Sequence, residues 1–372
     1  MSFVRETYLG QTPPPGLNVG LLGWLRANLF SSAGNTLLTL FGIYVLAVTA
    51  PPLIEWALLD AVWRGSGREA CNVEGAGACW AFVAAKFGQF MYGRYTFEER
   101  WRVDLVFWIG AVTVALLMLE RMPKRRYLAL FGLLVYPVLA FVLLTGGVLG
   151  LAAVETSLWG GLLLTFVVAS VGIIVSLPLG IVLALGRRSQ MPVLRWFSII
   201  YIEAWRGVPL ITVLFMASVM LPLFLPPGTN FDKLLRVLIG VALFSSAYMA
   251  EVVRGGLQAI PRGQYEAASA LGLGFWRANL LIIMPQALRL VIPGIVNTFI
   301  GLFKDTTLVM IVGLFDFLGS IQVSFSDANW ATPQTAASGY AFAALVFWGI
   351  CFAMSRYSIS IERRLNEGTR RA

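Results

Sequence analysis

Glu203 and Arg206 stand three residues apart in an otherwise apolar stretch, and Glu251 and Arg254 repeat that spacing. Side chains three apart share one face of a helix, so each pair can close an ion pair. The Glu203–Arg206 charges could instead meet a zwitterionic amino acid or act at a gate. Lys304, Asp305, Thr306 and Thr307 form a second polar run beside an apolar segment. That run suits either the carboxylate and amine of a passing solute or a solvated rim. An ionisable group exposed to lipid costs several kcal/mol, so acids and bases in such company are the first functional candidates. Glu203, Arg206, Lys304, Asp305 and Thr306 are therefore the candidate translocation pathway.

Other chemistry is poorly supplied. The chain has no histidine, which removes histidine-based metal sites, general bases and proton relays together. Cys71 and Cys79 share one segment and Cys351 sits in an apolar run, too scattered for a metal site. If their segment faces an oxidising compartment, Cys71 and Cys79 can form a disulfide; two free thiols is the competing reading. No nucleophile–base pair is recognisable, and no G-x-x-x-x-G-K-[ST] loop is present to cradle ATP phosphates. The expectation is no catalytic residue, no metal and no cofactor. The net charge is +9, but Lys and Arg collect in loops between apolar runs and form no stripe interleaved with aromatics. Nucleic acid is not an expected partner.

The elements that must position these residues follow from composition. Of the 372 residues, 58% are hydrophobic and 13% charged, against about 45–50% and 25% in soluble domains. The mean hydropathy is +0.77. The surplus of apolar side chains needs lipid as its solvent. Backbone groups in lipid must bond within their own segment, so long apolar runs read as helices. Eight runs are near the length that spans a bilayer: 34–57, 103–119, 128–148, 158–185, 197–222, 235–254, 286–303 and 338–356. The fold class is an all-α integral membrane protein with about eight transmembrane helices. The first 33 residues carry Pro13-Pro14-Pro15 and lack the pattern of a cleavable signal.

Eight crossings return both termini to one side. Arg5, Arg26, the Arg121–Arg126 group, Arg187, Arg188, Arg195, Arg262, Arg277 and the basic C-terminus then share that side. This excess of positive charge places both termini in the cytoplasm. Residues 60–102 become a large outer loop despite their six Lys and Arg, which Asp60, Glu69, Glu74, Glu98 and Glu99 accompany. The chain reads as two parts. Residues 1–150 form an N-terminal extension with three spans and the loop 60–102, and 151–365 form the part with five spans. Gly146 and Gly150 make a G-x-x-x-G, and Gly301 lies in the seventh run; both are weak signals of close helix contact.

Between the sixth and seventh spans, Pro261 can open a helix and Gly272 can end one. The alanine-rich stretch between them favours helix. About eleven residues cover roughly 16 Å, too short to cross a bilayer. A short cytoplasmic surface helix is expected over 261–275, turning at Gly272–Gly274 and entering the next span through Pro285.

This segment resembles the EAA motif of bacterial ABC-importer permeases. Glu266-Ala267-Ala268, three residues, Gly272, nine residues, Ile282, one residue and Met284-Pro285 keep its spacing, with Met284 in place of leucine. Glu203-Ala-Trp-Arg-Gly-Val-Pro-Leu and Lys304-Asp-Thr-Thr-Leu are similar to the polar amino-acid branch of that family. The N-terminal spans and outer loop resemble the long M-type permease subunits of general L-amino-acid importers. The resemblance implies that the C-terminal five spans form a MetI-like ABC permease core. It implies a multi-pass subunit of the bacterial inner membrane with three partners: ABC ATPase subunits, a second homologous permease and a periplasmic amino-acid-binding protein. Glu266, Ala267, Ala268, Gly272 and Pro285 would couple it to the ATPase. Glu266 would make polar contact, Ala267 and Ala268 would permit close approach, and Gly272 the turn. ATP hydrolysis would lie in the separate subunit. Ion-driven secondary transport is the alternative, and a membrane enzyme a third reading.

Overall fold

A computed structural model describes residues 20–119, 122–148, 150–226 and 231–370, with the backbone alone for 364–370. The polyproline run, Arg5, Arg121 and Arg371 lie outside the described residues. Among the described residues, seven helices are long and apolar enough to cross a membrane, and an eighth crossing requires a bent pair.

A short helix, α1 (Gly20–Asn28), precedes α2 (Ala33–Ile54), which runs on as a π turn over Glu55–Leu59. The Ser32 hydroxyl caps α2 by accepting from the Asn35 N–H at 3.2 Å. None of the residues of α2 is buried. α3 (Trp80–Tyr92) lies in the segment read as the outer loop. α4 (Arg100–Met118) and α5 (Arg125–Thr145) form a hairpin, tied where the Tyr136 hydroxyl donates to the Val106 carbonyl at 3.0 Å. The C-terminal part comprises α6 (Gly161–Arg187), α7 (Pro192–Arg206), α8 (Leu210–Phe224) and α9 (Lys233–Ala259). It continues through α10 (Arg262–Ala270), α11 (275–290), α12 (Ile292–Val312), α13 (Phe317–Ser324) and α14 (Pro333–Arg370).

Three expectations need correction. The run 197–222 is not one straight helix: α7 and α8 meet at 101°. The bend falls at Gly207-Val208-Pro209, where proline removes a donor and disfavours helical backbone at Val208. The 286–303 run is displaced, because the chain breaks at Val291 and the membrane-length helix covers Ile292–Val312. Gly146 and Gly150 do not join helices. Both follow the end of α5 with positive φ, and a Cβ at Gly146 would sit 2.1 Å from the Ala152 carbonyl. Gly301 has no atom within 4 Å of an added Cβ, so it makes no close helix contact.

The segment 60–102 is a packed lobe. Cys71 and Cys79 are joined as a disulfide with Cα atoms 5.7 Å apart. Phe82 and Phe90 of α3 share a buried cluster with Leu162 of α6, Phe317 and Ile321 of α13, and Trp330. The Cys79 N–H donates to the Ser338 hydroxyl of α14, and Lys86 pairs with Asp327. Arg102, only 1% exposed, pairs with Glu99 and donates to the Ala152 carbonyl at 2.8 Å. The hairpin α4–α5 contributes Val103, Val106 and Leu144 to the same cluster as Leu164 of α6 and Val237 of α9. Buried packing is thus continuous across residue 150.

A crosslink closing so short a segment restricts the unfolded chain by about 2.5 kcal/mol. Cys79→Ser should therefore loosen the lobe. Faster tryptic cleavage at the exposed Arg64 and Arg68, with the spans still protected, is the expected outcome.

Candidate functional site

The helix α10 is nine residues long, about 13 Å, and shorter than the stretch 261–275 proposed for it. Pro261 precedes it in extended backbone. Its stop is a Schellman arrangement: the Leu273 N–H reaches the Ala268 carbonyl at 3.1 Å and the Gly272 N–H reaches Ser269 at 2.9 Å. Gly272 sits at φ +68, and nothing lies within 4 Å of an added Cβ. Its requirement is therefore conformational and not steric. Past the turn, α11 carries a π turn over Asn279–Ile283 just before Pro285. Proline cannot donate to the carbonyl four residues back, Leu281, and the widened turn absorbs that gap.

Glu266 and Ala267 are exposed. Ala268 is only 1% exposed, which corrects its assignment as a contact surface. Its small side chain lets α10 lie close to the spans, and the face open to a partner comprises Glu266, Ala267, Ser269 and Ala270. On the inward face Tyr265 packs with Leu257, Leu185 and Ile283. Gln286 of α11 donates to the Gln264 side chain at 3.1 Å.

Beside α10, the ends of α6, α7 and α9 converge on one carboxylate. Glu251, 15% exposed in its side chain, lies 2.7 Å from Arg187 and 2.7 Å from Arg254. Arg206 stands 3.7 Å away. Arg187 also reaches Glu203 at 2.9 Å. Glu203 and Arg206 thus do not close the pair that their spacing offered; each bonds to another helix, and only Glu251 and Arg254 pair within their own. Arg187 and Arg206 end their helices, where positive charge complements the dipole. Glu203 and Arg206 accordingly lie beside α10 as part of a structural hub, whereas Lys304 and Asp305 lie within α12. Sequence reading grouped Arg187 only with loop charges; its place at the end of an apolar run was the available signal.

The other polar run lies within α12, past its middle. Lys304 is exposed and Asp305 half-buried. Thr306 is 1% exposed, and its hydroxyl donates to the Phe303 carbonyl at 2.8 Å. Thr306 is therefore a core residue whose hydroxyl is satisfied within α12, and not a pathway lining. Asp316, which sequence reading passed over, is fully buried. It caps α13 by accepting from the Gly319 N–H at 3.0 Å and the Leu318 N–H at 3.3 Å. Burial pushes its carboxyl up from 3.8 to about 6, against the opposing pull of those N–H groups. Among the described residues, no group of three or more acids and cysteines could hold a metal.

Comparison with known proteins fits this arrangement. Residues 176–367 match the family described as binding-protein-dependent transport system inner membrane component. The chain is 56% identical over 346 residues to the inner membrane amino-acid ABC transporter permease protein YhdY of Escherichia coli, covering 93% of each. It is 42% identical to the glutamate/glutamine/aspartate/asparagine transport system permease protein BztC of Rhodobacter capsulatus, covering 99% of each. A solved amino acid ABC transporter with histidines aligns with a TM-score of 0.49 and 28% identity, over 55% of this chain and 92% of that one. The chain belongs to the inner-membrane permeases of binding-protein-dependent ABC importers. That membership sets aside ion-driven secondary transport.

Three variants test these positions. Gly272→Val must hold a branched residue in left-handed backbone, at a cost of roughly 1–2 kcal/mol. It should insert normally yet transport poorly, whereas Gly272→Asn, which tolerates that backbone, should be milder; uptake measured at equal membrane content distinguishes them. For Asp316, the raised carboxyl makes the folded state the tighter proton binder. Its contribution is complete below about pH 4 and lost as pH rises through about 6. Asp316→Asn should flatten that part of the stability profile, read as the difference in melting temperature between parent and variant from pH 4 to 7.

Proposed function

We propose that this chain is a translocation subunit for L-amino acids, moving them from periplasm to cytoplasm while a separate ATPase supplies the energy. The observation carrying this reading is α10, whose exposed Glu266–Ala267 and Ser269–Ala270 surface stands beside helix ends joined by ion pairs. A partner gripping that surface pushes on a short, well-anchored lever. Glu266 offers it a charge, and Gly272 fixes the exit angle. The chain carries no phosphate-binding loop of its own, so the nucleotide belongs to the partner.

The substrate class rests on the relatives. One is named as an amino-acid permease and the other for glutamate, glutamine, aspartate and asparagine. Lys304 and Asp305, inside α12, remain the pathway candidates. A binding protein would deliver solute at the lobe end, and a second homologous permease would complete the pathway. The disulfide in the lobe favours an oxidising compartment for 60–102. With α7–α8 counted as one bent crossing, the eight crossings put α10 and both termini in the cytoplasm. Residues 1–150 then act as an extension that presents the lobe, and 151–365 as the permease domain.

Two experiments test this. Proteoliposomes holding this chain, its partner permease, the ATPase and the binding protein should take up labelled glutamate, glutamine, aspartate or asparagine with ATP. Equal uptake without this chain overturns the proposal. A Ser269→Cys variant should crosslink to cysteines in the ATPase cleft; crosslinking only from the periplasmic side would invert the topology and end the coupling reading.

A further inference from the structure

The two residues that close α6 face different partners. Arg187 enters the Glu251 hub. Arg188 turns toward α10: one guanidinium nitrogen donates to the Tyr265 hydroxyl at 2.8 Å and to the Leu257 carbonyl at 2.9 Å. The Tyr265 hydroxyl donates to that same carbonyl at 3.0 Å. The Arg188 guanidinium also lies 5.2 Å from the centroid of the Tyr265 ring. Leu257 is in the last turn of α9, where carbonyls lack a helical donor and carry the negative end of the dipole. A cation and a hydroxyl are what such a carbonyl needs. Three helices therefore meet in one knot: α6 through Arg188, α9 through Leu257 and α10 through Tyr265.

The other anchors of α10 differ in kind. Ala268 and the Tyr265 ring make apolar contacts, which are non-directional and permit sliding. The Gln264–Gln286 bond is exposed and reaches α11. An open groove of about 240 Å³ lies alongside, bordered by Arg188 and Tyr265 themselves and by Ser269, Leu273 and Asn279. Charge-assisted hydrogen bonds are directional and stronger, so they hold position where the apolar contacts yield.

We infer that the Arg188–Tyr265–Leu257 knot is the joint that passes displacement of α10 to α6 and α9, with Tyr265 and Arg188 as positioning residues for coupling. Arg187, the next residue, carries the same displacement through Glu251 and Glu203 to α7. The inference rests on the reading that an ATPase grips α10, and it assigns the transmission to specific atoms.

The test uses the complete complex in proteoliposomes. Tyr265→Phe keeps the ring and its packing and removes only the hydroxyl. The ATPase should copurify in parental amount with unchanged basal hydrolysis. Hydrolysis stimulated by the loaded binding protein, and uptake with it, should fall about tenfold, the scale of one hydrogen bond to a charged group. Arg188→Met keeps an unbranched stem but removes the nitrogen that serves both acceptors, and should fall similarly. A purely structural role would lower the yield of complex and leave the ratio of stimulated to basal hydrolysis at its parental value. A parental ratio in both variants overturns the joint alone. Failure of the unsubstituted chain to retain an ATPase overturns the joint together with the reading beneath it.

Discussion

The bundle depends on the close pairing of α6 with α9, its most extensive interhelical contact. Lipid offers no hydrophobic drive between helices, so such a pair must gain from close packing and internal polar bonds. Gly180 supplies the first: a Cβ there would lie 2.8 Å from the Met249 side chain and 3.0 Å from the backbone nitrogen of Ala250. The arginines ending α6 supply the second, reaching Glu251 and the Leu257 carbonyl of α9. Because α7 and α10 are fastened to these same side chains, the spacing of α6 and α9 sets the positions of both.

A second constraint is the backbone itself. Prolines interrupt α5, α8 and α11, and each interruption is taken up by a π turn over Phe131–Val135, Met216–Met220 or Asn279–Ile283. The freed carbonyl must be satisfied where water is absent. In α8 the Ser218 carbonyl, four residues before Pro222, accepts from Arg236 of α9 at 2.6 Å. That bond gives a buried arginine a partner and pins the bent α7–α8 unit to the central pair. The bend brings the polar end of α7 to the hub, while Trp196, Phe197 and Ile200 of the same helix stay exposed to lipid or a partner.

At the opposite end, the lobe over 60–102 makes the N-terminal extension part of the same body. Its disulfide, the Lys86–Asp327 pair and the aromatic cluster around Phe82 bind it to α6, α13 and α14. The buried Asp316 at the start of α13 stands under this contact. Among the described residues the outlier is α2, which buries none of its residues in the chain and is free to meet lipid or another subunit.

Apolar runs determined the membrane class and most of the long helices, because the cost of polar groups in lipid acts on each segment separately. The turn at Gly272 was legible for the same local reason: left-handed backbone selects glycine. Three-dimensional packing decided the rest. Spacing alone put Glu203 with Arg206, yet helix ends distant in sequence brought Arg187 and Glu251 nearer and re-paired both. Ala267 and Ala268 are alike in sequence, but the rotation of α10 against the spans exposes one and buries the other. Thr306 looked like a pathway residue until its hydroxyl was placed on the Phe303 carbonyl. The composition of 60–102 gave no sign of a packed lobe, since its core is completed by residues from α6, α13 and α14. Patterns set by a segment and its solvent can be read along the chain, whereas partners supplied by other helices exist only once those helices are in place.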